Sequence, residues 1–355
     1  MTETFSKKHE NLKEYYGKIL NKTTDLKTNA CCVTGETFPP AVKKILPLIN
    51  YEIIEKFYGC GSPIPPAIEG CTVLDLGCGT GRDVYITSAL TGEKGYVIGV
   101  DMTDEQLDVA RRNIDSQMTT FGYTQPNVDF RKGYIEDLTS VKIKDNSVDV
   151  VISNCVINLS PDKKSVFSEI FRVLKPGGEL FFSDVFANRR IPSELKYEPV
   201  LHGECLGGAL YIEDFRRIIR ALGCLDYRMV SKRPFAINNR EIENKIGMID
   251  FYSITMRLFK LNTLEDICED YGQTAVYKGT IPEHPHKFHF DDHHVFTTGK
   301  PVLVCGNTAS MLSETRYADY FTVQGDRATH FGAFECECSR FDAITQERNA
   351  TPSCC

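Results

Sequence analysis

The spacing of apolar residues along the chain changes near residue 60. Before that point, apolar residues recur at helical intervals in "NLKEYYGKILN" and "AVKKILPLINYEIIEKFYG", which predicts amphipathic helices. After the proline- and glycine-rich segment "CGSPIPPAIEG", short apolar runs alternate with helical patterns. The runs that predict strands are "CTVLDLG", "GYVIGVD", "NVDFRKG", "VDVVISNCVINL" and "ELFFSDVF". Strands that alternate with helices are typical of a parallel sheet covered on both faces.

This alternation predicts an α/β protein with a Rossmann-like, doubly wound sheet that extends to about residue 230. Residues 190–225 interrupt it with a predicted loop and helix, and beyond residue 230 the pattern weakens into short mixed segments. We therefore expect four regions. They are an N-terminal helical cap over 1–60, the sheet domain over 61–230, a middle region over 231–300 and a smaller α+β region with a cysteine-rich tail over 301–355.

The composition of the 355 residues narrows the class of protein. The net charge of -7, with no block of Lys and Arg, argues against nucleic-acid binding. No apolar stretch approaches the ~18 residues of a membrane span. The N-terminal segment also lacks the apolar core of a secretory signal. We expect a cytoplasmic protein with no membrane or nucleic-acid partner, and a monomer, since no assembly motif is evident.

Fourteen cysteines are an unusual number for such a chain. In the cytoplasm, thiols are more often reduced, ligating or catalytic than joined in structural disulfides. The cysteines are scattered, whereas a structural zinc site needs two close pairs. One of them stands out in "VVISNCVINL", where an apolar run ends at a polar pair and Cys155 follows. Because ligands of a doubly wound sheet bind outside the carboxyl ends of its strands, this thiol should face a ligand.

The segment "VLDLGCGTGRD" places three glycines at the turn from the first strand to the next helix. Glycine there permits positive φ and lets the backbone approach a ligand closely. A dinucleotide-binding fingerprint has the spacing GxGxxG, whereas Gly77, Gly79 and Gly81 have the spacing GxGxG. Asp101 ends the second strand, where a carboxylate can accept hydrogen bonds from ribose hydroxyls. A nicotinamide-binding domain is therefore the weaker alternative.

With "GYIEDL" after the third strand and "LKPGGEL" before the fifth, this loop resembles the class I S-adenosylmethionine-dependent methyltransferases over residues 60–185. The resemblance implies a cofactor site in the domain 61–230. From the methionine end through the ribose to the adenine, its residues would be Asp75, Gly77, Gly79, Asp101, Ile135 and Glu136. Met102 and Asn154 are assigned to the same site. Tyr58 is assigned to it as a ring that packs on the cofactor, although a core aromatic is an equal alternative.

Five further motifs narrow the resemblance to one family. They are "YYGKIL", "DLKTNACC", "FYGCG", "SNCVINLSPDK" and "GECLGGALY". Together they resemble the arsenite methyltransferases over about residues 10–260, and four of the five contain a cysteine. Beyond residue 260 the chain resembles this family mainly in bearing cysteines.

The family resemblance implies roles for five cysteines. Cys155 and Cys205 would bind trivalent arsenic, with Cys60 as a third thiolate. Cys31 would form a redox disulfide with Cys60, although the doublet leaves open whether Cys31 or Cys32 does so. Thiolates suit this substrate because arsenite is a soft, thiophilic centre. No metal cofactor is expected, since arsenic is the substrate.

The implied reaction is stepwise methylation of arsenite, or of its glutathione conjugate, to mono- and dimethyl products. The arsenic lone pair would attack the sulfonium methyl group of S-adenosylmethionine. This transfer oxidises arsenic from the trivalent to the pentavalent state, so two electrons must be returned. A dithiol can supply them by closing a disulfide, which thioredoxin or glutathione would reopen.

Two other functions stay open from the sequence. One is a methyltransferase for a small organic acceptor, such as a quinone, a sterol or a thiol. The other is a thiol-based metalloid-binding or redox protein without catalysis, which would not bind S-adenosylmethionine. The segment "EHPHKFHFDDHH" at 283–294 is a separate question, because it could hold a metal ion or be a solvated loop.

Overall fold

The computed structural model describes residues 9–10, 12–13, 15, 28, 38–57, 59, 61–196 and 198–335. The first predicted helix, "NLKEYYGKILN", lies largely outside these residues. The second helical pattern forms two short helices, α1 (Pro40–Ile45) and α2 (Tyr51–Glu55), joined by the 3-10 turn Leu46–Leu48. That turn contains a proline, which lacks the N–H that a continuous helix would need.

Among the described residues, eight strands form the central sheet. They are β1 (Thr72–Leu76), β2 (Tyr96–Asp101), β3 (Val128–Lys132), β4 (Val148–Asn154), β5 (Leu174–Ala187), β6 (Leu210–Tyr211), β7 (Arg228–Phe235) and β8 (Phe251–Phe259). Their order is β3-β2-β1-β4-β5-β8-β7, and β6 pairs with the end of β5. Each of the first five strands is parallel to its neighbours among them, which confirms the predicted doubly wound α/β fold.

Helices cover both faces of this sheet. They are α3 (Arg82–Thr91), α4 (Asp104–Arg112), α5 (Ile114–Phe121), α6 (Lys163–Val173), α7 (Pro199–Gly203), α8 (Ile212–Ala221) and α9 (Arg240–Ile246). Val73 of β1 belongs to the apolar core with α3 and α4, and its neighbour Leu74 belongs to the core with α6 and α8. This alternation follows from the period of two in a strand. No helix within the described ranges has the length and apolar content to cross a bilayer.

The sheet continues past the limit near residue 230 that the sequence pattern predicted. β8 is antiparallel to β5, and β7 is antiparallel to β8 at the edge. In β7, the first two residues are buried and the rest are half-buried or exposed, as an edge strand with one solvated face allows. Such a strand contains few consecutive apolar residues, which explains why the sequence pattern weakened there.

A smaller α+β region follows β8. Its elements are β9 (Glu269–Asp270), β10 (Thr274–Tyr277), β11 (Lys287–His289), β12 (Val295–Thr297), β13 (Pro301–Leu303), α10 (Gly306–Ser313), β14 (Phe321–Gln324) and β15 (Gly332–Ala333). β10 lies between β13 and β14 in an antiparallel sheet, and β11 and β12 form a hairpin. The region has its own apolar core, which includes Phe288, Phe290 and Phe296.

A buried network of ion pairs attaches this region to the central sheet. Arg257 of β8 donates to Glu179 of β5 at 2.8 Å and to the Phe290 carbonyl at 2.6 Å. Arg316 pairs with the same glutamate and donates to the Ala67 carbonyl at 2.9 Å. Because an unpaired buried charge is costly, this network holds the C-terminal region against both the sheet and the segment before β1.

Candidate functional site

A cleft lies at the carboxyl ends of β1, β2 and β4, where a doubly wound sheet binds its ligands. Its lining brings together the described residues that the sequence assigned to the cofactor, and Cys155 with them. They are Asp75, Gly77, Gly79, Asp101, Met102, Ile135, Glu136, Asn154 and Cys155. Residues separated by up to 80 positions in the sequence thus face one space.

The glycine loop forms one wall of the cleft through backbone conformations that side chains rarely adopt. Gly77 has φ +71°, and a Cβ built there would lie 2.4 Å from the Val156 side chain. Gly79 has φ +52°, and its N–H donates to the Asp101 carboxylate at 2.9 Å. Glycine is therefore required at Gly77 both by its conformation and by the close approach of the turn after β4.

Buried carboxylates give the cleft a negative character. Burial, and then the charges of Asp83 and Asp101, raise the pKa of Asp75 well above its usual value. Burial also raises the pKa of Asp101, although N–H groups of Thr103 and Gly79 donate to it. Burial and mutual repulsion disfavour the ionised form of these neighbouring carboxyl groups, and a cationic ligand would stabilise that form. S-adenosylmethionine carries a sulfonium and an ammonium group, whereas a dinucleotide would bring a negatively charged pyrophosphate, so the residues fit S-adenosylmethionine.

Glu136 is fixed on the opposite side of the cleft. It lies 3.3 Å from His9 Nε2 and accepts from the Ser160 hydroxyl at 2.5 Å. Burial by itself would raise the pKa of Glu136, but the contacts with His9 and Ser160 outweigh it and lower that pKa. The carboxylate is therefore ionised and oriented before any ligand binds.

Asn154, the last residue of β4, ties the cleft to the segment before β1. Its side-chain amide donates to the Gly61 carbonyl at 2.8 Å and to Asp83 at 2.9 Å. A Cβ on Gly59 would lie 2.9 Å from the Asn154 side chain. Both neighbours of Cys60 in the sequence thus contact the residue that precedes Cys155. Cys60 itself, like Cys31, Cys32 and Tyr58, lies outside the described residues.

Cys155 and Cys205 converge in the structure, although they are 50 positions apart in the sequence. The sulfur atoms of both and a carboxylate oxygen of Asp184 lie within 4.8 Å of one another. We call these three residues the cysteine cluster. All three are buried, and the two cysteines pack among apolar residues from α7, α9 and the end of β5.

The backbone of both cysteines is strained. Cys155 has φ +56° and Cys205 has φ +64°, a left-handed conformation that residues with a Cβ seldom adopt. Such conformations cost on the order of 1–3 kcal/mol and persist where the surroundings fix them, often at functional sites. The strand predicted over "VDVVISNCVINL" therefore ends at Asn154, and a 3-10 turn, Ile157–Leu159, replaces its second half.

The two cysteines differ in their covalent state. The Cys205 thiol donates to the Cys155 carbonyl at 2.9 Å. Cys155 takes part in a disulfide. The other described cysteines have no disulfide: Cys71, Cys78, Cys205, Cys224, Cys268 and Cys305.

A glycine pair brings the Cys205 loop against the turn that carries Cys155. A Cβ on Gly208 would lie 1.9 Å from the Asn158 carbonyl oxygen, and one on Gly207 would lie 2.7 Å from the Lys196 carbonyl. Only glycine allows these backbones to approach so closely. The glycines of the "GECLGG" motif thus permit close backbone packing of the loop that carries Cys205.

Sequence analysis missed three residues around the cysteines. Asp184 near the end of β5 accepts from the Asn158 amide side chain at 2.7 Å and from the Asn158 N–H at 3.1 Å. Lys163 donates to the Asn158 carbonyl at 3.1 Å, and burial lowers the pKa of this lysine to about 8. A signal for Asp184 was present, because "FFSDVF" has a polar pair near the carboxyl end of an apolar strand, as "ISN" has in β4.

The histidine-rich segment forms a second group of metal-type ligands, which we call the histidine cluster: Asp291, His293 and His294. It lies at the tip of the hairpin β11–β12, where Asp291 and His294 are buried although much of the segment 283–294 is exposed. The His294 ring lies 2.8 Å from the Asp291 carboxylate, and the Arg228 guanidinium of β7 lies 3.5 Å from it. Burial would raise the pKa of Asp291, but its histidine and arginine neighbours hold it well below the usual range.

Comparison with known proteins agrees with this geometry. A family model described as "Methyltransferase domain" matches residues 68–223, and one described as "Arsenite methyltransferase C-terminal domain" matches residues 271–352. An arsenite methyltransferase of Aquipseudomonas alcaligenes is 51% identical over 92% of this chain and 94% of its own length. The chain belongs to the arsenite methyltransferase family.

Other arsenite methyltransferases extend the comparison. The Homo sapiens protein is 41% identical over 89% of this chain and 83% of its own length. The crystal structure of an arsenic(III) S-adenosylmethionine methyltransferase from Chlamydomonas reinhardtii has a TM-score of 0.81 at 53% identity, covering 84% of this chain and 99% of that one. The predicted family, enzyme class and cofactor are confirmed: the chain is an S-adenosylmethionine-dependent methyltransferase. The C-terminal match also extends the family resemblance past residue 260.

Proposed function

We propose that this arsenite methyltransferase converts trivalent arsenic to mono- and dimethylated products at the cysteine cluster. One observation carries the proposal: two strained, buried cysteines meet beside the cofactor cleft, with ligand atoms within 4.8 Å. Cys155 lines that cleft, so an arsenic atom on its sulfur would lie at the edge of the cofactor site. Soft thiolate ligands are what trivalent arsenic prefers.

Each residue of the site has a proposed role. Asp75, Gly77 and Gly79 border the methionine end of S-adenosylmethionine, and Asp101 holds its ribose. Met102, Ile135, Glu136 and Asn154 complete the cofactor site. When bound, the cofactor supplies a sulfonium methyl group, the electrophile for the arsenic lone pair. Cys155 and Cys205 hold the arsenic, with Cys60 as the third thiolate, which leaves the lone pair directed away from the sulfurs.

The redox role of the N-terminal cysteines is also proposed. Methyl transfer takes two electrons from arsenic, and the pair of Cys60 with Cys31 or Cys32 would return them by closing a disulfide. Thioredoxin or glutathione would reopen it by thiol–disulfide exchange. The disulfide at Cys155 supports a need for reductant, because that sulfur must be a thiolate before it can bind arsenic.

We also propose that the middle region, residues 231–300, contributes to the arsenic-binding side of the site, and its packing supports this. Ile237, Ile242 and Ile246 belong to the same apolar cluster as Cys155 and Cys205. The apolar surroundings keep water from the arsenic–sulfur bonds. The histidine cluster of this region plays no part in the proposed chemistry.

A product assay tests the function. The reduced enzyme, arsenite and S-adenosylmethionine with labelled methyl groups should give mono- and dimethyl arsenicals, separated by oxidation state and methyl count. Cys155→Ser and Cys205→Ser should abolish both products, whereas Cys224→Ser, which changes a buried thiol elsewhere, should leave them unchanged. Label that passes to a quinone, sterol or thiol in preference to arsenite would instead favour the organic-acceptor alternative.

A second experiment separates the redox cysteines from the ligands. Cys31→Ser and Cys60→Ser should still methylate a monomethylated trivalent arsenical, because only two thiolates are needed for that substrate. Full activity of Cys60→Ser on arsenite itself would contradict the third-thiolate role.

A further inference from the structure

Binding of arsenite to cysteines requires a proton transfer. For each bond, a thiol and an arsenic-bound hydroxide become an arsenic–sulfur bond and a water molecule. No oxidation state changes, but the thiol proton must leave sulfur and reach the departing oxygen. A buried thiol with no base nearby would ionise with difficulty, because burial in apolar surroundings disfavours the thiolate.

Cys205 is completely buried, and its Sγ donates to the Cys155 carbonyl, which fixes the proton on the sulfur. The cluster in which it packs consists of apolar residues. The neighbouring Glu204 has other contacts, because the Tyr15 hydroxyl and the Thr28 N–H donate to it. A different acceptor is therefore needed within reach of the sulfur.

Asp184 is placed to receive this proton. A carboxylate oxygen of Asp184 lies within 4.8 Å of both cysteine sulfurs. Its Oδ1 accepts from the Asn158 side chain and the Val185 N–H at 2.7 and 2.8 Å. Its Oδ2 accepts from the Asn158 N–H at 3.1 Å. The Ile157 N–H also donates to this carboxylate, and together these donors orient it.

We propose that Asp184 is a catalytic proton acceptor for arsenic capture, taking the Cys205 thiol proton and passing it to the hydroxide that leaves arsenic as water. The same exchange serves the Cys155 thiol once its disulfide is reduced. This inference rests on the proposed function, and it adds Asp184 to the cysteines of that site. Asn158 is then a positioning residue, since it orients the carboxylate from the turn after Cys155.

The electrostatic surroundings agree with this role. Burial raises the pKa of Asp184 to about 7, and a base of this strength is well matched to neutral pH. Three titratable side chains face Asp184. Lys163 comes from α6, Cys155 from the turn after β4, and Cys205 from the loop after α7. On β8, the residue paired with Asp184 is the uncharged Ile254. Asp184 is therefore the carboxyl of the cysteine cluster that can change protonation near pH 7.

The rate of arsenite capture tests the proposal. Arsenite is mixed with the reduced full-length protein in stopped flow, and ultraviolet absorbance reports arsenic–sulfur bonds, helped by the absence of tryptophan. The Cys205→Ser variant defines the signal from other thiols. In the wild type, the rate should rise with pH and level off above a midpoint near 7. In Asp184→Asn, the rate should fall at least ~10-fold at pH 8 and lose this midpoint, because the buried Cys205 thiol then has no carboxylate to take its proton.

Matched variants separate this role from a structural one. Asp226→Asn also removes a mostly buried carboxyl, but away from the cysteines, and its pH profile should match the wild type. Affinity for S-adenosylmethionine, measured by calorimetry, should be unchanged in Asp184→Asn. Equal slowing of this variant at every pH, or no slowing, overturns the proposal.

The pH dependence of the wild-type capture rate is a further test, and it needs no variant to fold. A capture rate that follows a midpoint near 8.5, the value of a free thiol, would exclude a carboxyl acceptor. If the wild type binds no arsenite at all, the proposed function fails together with this inference. If capture is rapid but insensitive to Asp184, only the inference fails.

Discussion

The cysteine cluster and the histidine cluster both bring three metal-type ligands together, but their surroundings differ. At the histidine cluster, the Arg228 guanidinium lies 3.5 Å from Asp291 and already balances its charge. At the cysteine cluster, the nearby cation is Lys163, which donates to backbone carbonyls of Asn158 and Ser160. The backbone of the cysteines is strained, whereas no residue of the histidine cluster has positive φ.

This difference shows that proximity of ligand atoms does not by itself define a binding site. A cluster whose charge is compensated by an arginine has little to gain from a cation, and its contacts stabilise a domain interface instead. At the cysteine cluster the facing cation is a lysine whose pKa is lowered by burial, and the sulfurs are soft ligands of the kind that a thiophilic substrate prefers. Four predictions test this comparison, and the first has the largest effect.

Removing a ligand from each cluster should separate catalysis from stability. We expect Cys205→Ser to reduce arsenite methylation by at least ~1000-fold, because a serine oxygen is a poor ligand for a soft centre and its proton is harder to remove. Asp291→Asn should retain activity at 25 °C. The measurement is transfer of labelled methyl groups, and comparable losses in the two variants would contradict the distinction.

The histidine cluster should matter for stability. Asp291→Ala leaves the buried Arg228 with Asp226 as its remaining carboxylate partner. We expect the free energy of unfolding to fall by about 3 kcal/mol, as for a broken buried ion pair. Denaturant unfolding monitored by circular dichroism measures it. Asp292→Ala, on the exposed neighbouring residue, is the control and should change stability far less.

Separating the two cysteines should weaken catalysis without removing a ligand. In Gly208→Ala, the new Cβ would overlap the Asn158 carbonyl and push the Cys205 loop from the turn of Cys155. A displacement of about 1 Å at a reacting group can cost up to ~100-fold, so we expect activity to fall 10- to 100-fold. Gly223→Ala is the control for a general loss of stability, because its φ of +87° strains an alanine there although the new Cβ would meet open space. Similar losses of activity in both variants would mean that a loss of stability, not the loop contact, is responsible.

The smallest effect concerns acid stability. The pKa of Asp291 is held below its unfolded value of about 3.9, so its contribution is present above that pH and is lost as pH falls further. We expect stability to drop by about 1–2 kcal/mol as pH falls from 5 to 3, and less in Asp291→Asn. His293 works in the opposite direction: the hydrogen bond that its ring donates to Asp292 raises its pKa, so its contribution fades as pH rises past about 6.5. Equal acid slopes in wild type and Asp291→Asn would exclude Asp291 as the source.

Some of this structure follows from local patterns. The runs "VLDL", "YVIGVD" and "DVVIS" are apolar because parallel strands are buried on both faces, and each was predicted as a strand. The glycines of the turn after β1 predict a ligand-binding loop, because few other residues can adopt their backbone conformations. The cleft residues assigned from these motifs do face one another. The edge strand β7 was missed, because its exposed polar residues follow no distinctive pattern.

The candidate site was harder to predict where partners come from distant segments. Asp184 is unremarkable in the sequence until β5 lies next to β4 and brings it beside Asn158. The histidine-rich segment looks like a metal site or a loop until Arg228, more than 60 residues earlier, pairs with Asp291. The "GECLGG" glycines have a reason only once the Asn158 carbonyl lies against them.

The sequence by itself determined the doubly wound sheet and the cofactor loop, and its family resemblance pointed to the two cysteines that we propose as substrate ligands. These depend on spacing and residue type, which short segments carry in themselves. Only the tertiary structure decided that Asp184 joins the cysteines and that an arginine compensates the histidine cluster. Charge compensation and proton transfer act over a few ångströms in space, and the distance between residues in the sequence does not reveal which groups will be that close.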